Sequence, residues 1–199
     1  MEIEKRFITA IILAAGESKR MGQSKLTLEW GKKSLLEENL DHFLDSGVDE
    51  ITVVLGYQAA EMERLIGDRS VTIAINPAFS KGMSTSVVVG VNIMSPRTQG
   101  IMLALADQPS VDSATINKLI DAFNEQKKGI VVPVFQRKRG NPVIFDIKYR
   151  NELLSLKGDI GGREIIGHHA KDVLEVPVEN KGVLIDIDTP DDYRKQKPA

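Results

Sequence analysis

Residues 11–25, IILAAGESKRMGQSK, end an apolar run at Gly16 and follow it with Lys19, Arg20, Gly22 and Lys25. Their chemistry is anion binding. A strand ending in the small residues Ala14, Ala15 and Gly16 lets backbone N–H groups approach a phosphate without Cβ atoms in the way, and Arg20 and Lys25 add fixed positive charge. Gly22 is followed by Gln23 and not by the Lys-Ser/Thr of a P-loop, and no G-x-G-x-x-G occurs in the chain. Two common phosphate loops are thereby excluded. A second reactive group is Asp107, which follows the apolar run GIMLALA at 100–106 and precedes Gln108-Pro109. A carboxylate at the carboxyl end of a central parallel strand, its exit fixed by proline, suits a hard cation. The alternative is an Asp that closes a turn.

For these groups to meet, their segments must share one edge of a sheet. Phe7 to Ala15, Glu50 to Leu55, Val71 to Ile75, Gly100 to Ala106 and Ile130 to Phe135 are short and apolar, as buried parallel strands are. Between them, amphipathic patterns predict helices from Ser34 to Ser46, over 58–66, from Gly82 to Met94 and from Ser113 to Gln126. Ser34 and Glu37 make a capping box. This alternation predicts a layered α/β fold with a mostly parallel sheet and ligands at the carboxyl ends of its strands. Gly56 and Tyr57 stand at such an end, either for base contact or as an ordinary strand-to-helix turn. Gly82 opens a helix with Ser84, Thr85 and Ser86, whose N–H groups and dipole suit an anion; simple N-capping is the alternative.

Beyond 135 the alternation breaks, which predicts an antiparallel excursion near 136–176. QRKRG at 136–140 is a basic turn, and NPVIF at 141–145 a strand that begins with Pro142. Gly158 to Arg163, GDIGGR, is a glycine-rich loop opening a helix, either a phosphate receiver or only a loop. Val183 to Ile187 reads as a last strand, after which Asp188 either caps the final helix or returns to a metal. His168 and His169 are adjacent and cannot share a helical face as an i, i+4 metal pair does, so they read as structural.

Composition narrows the function classes. Twenty-six Lys and Arg against 28 Asp and Glu give a net charge of −2, with no general attraction to nucleic acid or an anionic bilayer. Phosphate binding must be local. A chain of 199 residues is expected to form one domain over 1–199. The absence of cysteine excludes disulfides, thiolate metal sites and a Cys nucleophile, and fits a reducing cytoplasm. Lys5 and Arg6 before an apolar run imitate a short signal peptide, but Glu2, Glu4 and Thr9 spoil it and its cleavage site would fall in the glycine loop. No apolar stretch approaches the roughly 18 residues of a membrane helix. A cytoplasmic protein without membrane or nucleic-acid partners is expected.

LAAGESKRMGQSK at 13–25 resembles the LAAGxSxRMGxxK signature of the MobA-like nucleotidyltransferases, and is most similar to the molybdenum cofactor cytidylyltransferases among them. Further blocks of that group recur in order over about residues 8–193: NPAFSKGMSTS from Asn76, LADQP at 105–109, RGNPVIF from Arg139, GDIGGR from Gly158 and DIDTPDD from Asp186. The resemblance implies a three-layer αβα, Rossmann-like sheet of the nucleotide-diphospho-sugar transferase type. It puts Leu13, Ala14, Ala15 and Gly16 beside base and ribose, with Gly82 and Ser84 also at the nucleotide, where Gly56 is placed by its strand end. Arg20 and Lys25 lie on the phosphates, and Asp107 is the Mg2+ ligand, joined by Asp188. Arg139 and Asn141, with Arg137 and Lys138, face the second substrate, as do Gly158, Asp159 and Arg163. The implied reaction transfers CMP from CTP to the phosphate of molybdenum-molybdopterin and releases pyrophosphate. It serves molybdenum hydroxylases of the xanthine dehydrogenase type, so an apo molybdoenzyme or its chaperone is an expected partner. Leu-Ala-Ala-Gly in place of the Leu-Ala-Gly-Gly of guanylyltransferases, together with LADQP, favours CTP over GTP. A guanylyltransferase, a sugar- or alditol-phosphate nucleotidyltransferase sharing the first loop, and a non-catalytic cofactor-delivery chaperone are the alternatives.

Overall fold

The computed structural model describes residues 5–125 and 127–198. Residues 1–4, which carry part of the argument against a leader, Gln126, where a helix was expected to end, and residue 199 lie outside the described residues. In chain order the elements are β1 (Ile8–Ala14), β2 (Glu29–Trp30), β3 (Lys33–Ser34), α1 (Leu35–Leu44), β4 (Glu50–Leu55), α2 (Ala59–Ile66), β5 (Thr72–Ile75), α3 (Met83–Ile93) and β6 (Gly100–Leu105). There follow α4 (Ser113–Glu125), β7 (Ile130–Phe135), β8 (Lys138–Arg139), β9 (Val143–Asp146), α5 (Arg150–Leu154), α6 (Arg163–His168), β10 (Val173–Pro177) and α7 (Pro190–Gln196).

Among the described residues the main sheet runs β10-β7-β9-β6-β1-β4-β5, with β8 paired to β7. β1 is central and is buried from both sides. Ile8, Ala10, Ile12 and Ala14 enter the core shared with α1, α2 and α4, while Ile11 enters the core shared with α3, α5 and α6. Each isoleucine removed from water in this way contributes roughly 1.5–3 kcal/mol. The parallel register sets Leu13 beside Leu105 and Ala14 beside Leu55, so the loops after β1, β4 and β6 leave from one edge. On α1 the expected capping box is present, with Ser34 accepting from Glu37 N–H and Glu37 accepting in return.

Two expectations change in the second half. The antiparallel excursion is shorter than 136–176 and sits inside the sheet: β9 is antiparallel to both β6 and β7, whereas β10 returns parallel to β7. β10 is a short edge strand that carries Glu175 and Pro177 at exposed positions on either side of buried Val176, which an edge tolerates. The strand expected at Val183–Ile187 does not form. Lys181–Leu184 is a 3₁₀ turn capped by Asn180 Oδ1 on Gly182 N–H, and the residues after it are not laddered. Their hydrogen bonds go singly to separate segments, since Val183 O accepts from Asn141 N–H at 2.9 Å and Ile187 N–H donates to Asp107 O at 3.0 Å.

Candidate active site

The loop after β1 holds its shape by local bonds. Ser18 and Gly22 take left-handed backbone on either side of a 3₁₀ turn at Lys19–Met21, Met21 N–H donates to Ser18 O at 2.8 Å, and the Ser18 hydroxyl accepts from Lys25 N–H at 3.2 Å. Arg20 and Lys25 are thus brought to one side. Together with Leu13, Ala14, Ala15 and Gly16 they line a cavity of about 630 Å³ that Asp107, Asp186 and Asp188 also line. A Cβ added at Gly16 would meet no protein atom within 4 Å, so packing inside the chain does not demand its smallness.

The charged groups form one cluster. Lys25 Nζ pairs with Asp107 Oδ2 and, at 2.7 Å, with Asp188 Oδ1; Arg20 Nη2 reaches Asp188 Oδ2 at 2.8 Å. Burial opposes the Lys25 charge, but Asp107 and Asp188 outweigh it and hold the ammonium above the usual lysine range. Burial likewise pushes Asp188 up, and Lys25 and then Arg20 bring it below the usual carboxylate range. Asp186 goes the other way, raised by burial and by Asp107. Its partner is neutral, since Gln108 Nε2 donates to Asp186 Oδ1 at 2.6 Å. The sequence reading overlooked Asp186, although the DIDTP spacing puts it two residues from Asp188.

A hard divalent cation fits this donor set. All three carboxylates offer oxygen, and Asp107 Oδ1 is buried with no hydrogen-bond partner. Among the described residues no group of three or more His, Cys, Asp and Glu makes a ready-made metal cluster; the Lys25 ammonium stands between two of the acids instead.

The remaining expected residues divide. Gly82 and Asp159 line the cavity. Gly82, at φ 112°, lies so close to Gly158 that a Cβ would stand 2.5 Å from its carbonyl oxygen. The α3 N-terminus is already bonded: Asp159 Oδ1 accepts from Met83 N–H and Gly158 O from Ser84 N–H, both at 3.2 Å. Ser84 is itself 1% exposed. Ser86 meets the cavity in its place, with its hydroxyl held by Asn76 Nδ2 at 2.9 Å. Asn76 therefore organises this wall. Gly56 is a spacer, where a Cβ would come within 2.7 Å of Phe79 and 2.8 Å of Ala15 O.

Arg139, Asn141 and Arg163 do not line the cavity. Arg139 pairs with Glu175 at 2.7 Å, and Arg163 is exposed at the start of α6. Asn141 N–H bonds Val183 O, and a Cβ on Gly140 would fall 2.2 Å from that same oxygen. The RGN segment thus braces the chain that carries Asp186 and Asp188. His169 bonds Glu152 at 2.9 Å and packs on the Tyr149 ring, in keeping with a structural role.

Comparison with known proteins gives the family. The model of the MobA-like NTP transferase domain matches residues 10–173. The chain is 29% identical to the molybdenum cofactor cytidylyltransferase of Escherichia coli over 94% of this chain and 93% of the relative, and 30% identical to the purine catabolism protein PucB of Bacillus subtilis over 94% of each. Rv0371c of Mycobacterium tuberculosis has the same fold, with a TM-score of 0.87 and 30% identity over 98% of this chain and 100% of that one. A second structure of that protein, a complex with manganese, superposes with a TM-score of 0.85 at 28% identity. The family match over most of the chain, on a fold that gathers the loop after β1 and the acids in one cavity, makes this protein a nucleotidyltransferase of the MobA-like NTP transferase family.

Proposed function

We propose that the protein transfers CMP from CTP to the terminal phosphate of molybdenum-molybdopterin, with Mg2+ as cofactor, in the maturation of molybdenum hydroxylases. The observation that carries this reading is the convergence of Arg20 and Lys25 with Asp107 and Asp188 in one cavity. The similarity to a molybdenum cofactor cytidylyltransferase supports the choice of acceptor and nucleotide. In the reaction an acceptor phosphate oxygen attacks the α-phosphorus and forms the new P–O bond. The bond from the α-phosphorus to the bridging oxygen breaks, and its electron pair leaves with pyrophosphate. Little covalent work falls to the protein, so alignment and charge neutralisation carry catalysis.

The small residues Ala14, Ala15 and Gly16 leave room for base and ribose. Lys25 and Arg20, held by carboxylates in the free protein, transfer to the triphosphate, where Arg20 forks two oxygens and Lys25 meets the departing pyrophosphate. Asp107 and Asp188, relieved of those cations, would hold Mg2+, which supplies charge neutralisation on the phosphates when bound. Asp159, on the cavity wall beside Met83, bounds the acceptor side. The reading extends to one catalytic domain over the whole chain, acting in the cytoplasm and passing its product to an apo molybdoenzyme or that enzyme's chaperone. No described helix is long and apolar enough to cross a membrane.

A panel of CTP, GTP, ATP and UTP with Mg2+ and molybdenum-molybdopterin, read by mass detection of the dinucleotide and by pyrophosphate release, tests it. CTP incorporation is expected to dominate. Preferential use of GTP ends the cytidylyl assignment, and absence of pyrophosphate release ends the catalytic one.

A further inference from the structure

Asn39 is 1% exposed on α1, within an otherwise apolar buried face of Leu35, Leu36, Leu40 and Phe43. It does not line the cavity. Its Nδ2 donates to two carbonyls that bracket Asp107, Leu105 O at 3.3 Å and Gln108 O at 3.1 Å. Its Oδ1 is buried without a partner. Neither carbonyl depends on Asn39 to be satisfied, because Gln108 N–H bonds Leu105 O at 3.4 Å and Val111 N–H bonds Gln108 O at 3.2 Å. A leucine of the same branched outline would remove the orphaned oxygen and its desolvation cost while leaving both carbonyls paired. What Asn39 adds, against that cost, is a fixed position for the turn that carries Asp107.

Gln108 continues the connection. It is 2% exposed, and its Nε2 donates to Asp186 Oδ1 at 2.6 Å and to Val183 O at 3.4 Å. Ile187 N–H returns a bond to Asp107 O. The acid-bearing segment at 183–188 forms no strand ladder, so these single bonds and the brace from Asn141 locate it together with the buried Val183 and Ile187 and the ion pairs of Asp188. Two buried amides therefore run in series from α1, through the 105–108 turn, to Asp186.

We infer that Asn39 and Gln108 are positioning residues for the acid cluster, setting the separation of Asp107 from Asp186 and Asp188 at which a divalent cation and a triphosphate are received. This rests on the reading of that cluster as the metal and nucleotide site. Groups that orient the ligands of a metal control its affinity from outside the coordination sphere.

The test compares the parent with Asn39→Leu, Gln108→Met and the double variant. Mn2+ affinity is measured by electron paramagnetic resonance in the presence of triphosphate, beside thermal melting and steady-state kinetics. Asn39→Leu is expected to melt at or above the parental temperature while binding Mn2+ about tenfold more weakly. Its kcat should fall by about tenfold to hundredfold, with KM for the triphosphate little changed, as expected of misaligned groups. Gln108→Met should move in the same direction, and the double variant should be no worse than its poorer single, because the two act in one series. Parental Mn2+ affinity and kcat in Asn39→Leu, losses that follow a lowered melting temperature, or fully additive losses in the double variant each overturn the inference. So does a parent that binds no Mn2+. Melting and Mn2+ titration need no acceptor, so a parent that binds Mn2+ but makes no cytidylyl product ends the proposed reaction and leaves this test standing.

Discussion

The segments around residues 13–25, 105–109 and 186–188 and the motifs QRKRGN and GDIGGR within 136–163 look alike in sequence: both groups put charged residues in short loops beside apolar runs. In space they behave differently. The first group turns its charged side chains into a shared cavity, where Lys25 and Arg20 compensate Asp107 and Asp188. Most of the second spends its polar groups on other protein atoms: Arg139 on Glu175, the Asn141 backbone on Val183, Gly158 on the start of α3. Asp159 alone of its expected side chains reaches the cavity wall. Charge at a loop marks a site only when the neighbouring backbone leaves that charge facing a concavity.

The largest expected effect separates the two groups directly. Asp107→Asn keeps the size of the side chain but removes its charge, so the protein should fold and its turnover should fall on the order of 10²-fold or more. Near-parental kcat at low Mg2+ would reduce Asp107 to a turn residue. Lys25→Met comes next, with turnover lower by about tenfold to hundredfold and a raised KM for the triphosphate. Because this change also takes an ammonium from between two acids, Mn2+ binding without nucleotide should strengthen. Unchanged Mn2+ binding would mean that the ion pair does not compete with the metal.

For the second group, Gly140→Ala should cost roughly 1–3 kcal/mol, since the added methyl collides with Val183 O. Denaturant midpoint and kcat should fall together as the 183–188 segment shifts. Arg139→Ala sharpens the contrast. The Arg139–Glu175 pair is about half exposed, with side chains at 45% and 52%, so its loss should change stability by about 0–1 kcal/mol and leave the acceptor KM within about threefold, as a surface substitution away from the site does. A tenfold rise in acceptor KM would return the basic turn to the second-substrate site.

A further effect is on acid stability. Burial alone would raise the pKa of Asp172, but hydrogen bonds from Lys148 and Tyr149 outweigh it and hold the group at about 2. That value lies below the roughly 3.9 of an unfolded Asp, so its contribution is present in full above about pH 5 and is lost as pH falls toward 2. Asp172→Asn should melt below the parent at pH 7, and the gap should close on acidification. A gap that does not change with pH would show that Asp172 acts through packing.

Much of the first half is legible because its signals are local. Apolar runs of strand length, the Ser34–Glu37 cap and the glycine after β1 each depend on neighbours a few residues away, and the strands β1, β4, β5, β6 and β7 and the helices α1 to α4 follow them closely. The second half depends on distant partners. β10 is a strand because β7 offers it an edge, and residues 183–187 are not one because their bonds go to Asp107, Gln108 and Asn141. Apolar alternation cannot distinguish those cases.

For the site, residue type and spacing alone were enough to single out the loop that carries Arg20 and Lys25 and a carboxylate at a strand end in Asp107, because backbone geometry at a parallel sheet's carboxyl edge places such groups. That Lys25 would sit between Asp107 and Asp188, 82 and 163 residues away, was decided only by the tertiary structure. So were the neutral partner of Asp186, the occupied N-terminus of α3 and the buried amides of Asn39 and Gln108. Their physical reason is common: a polar group that leaves water must find a partner wherever the fold brings one.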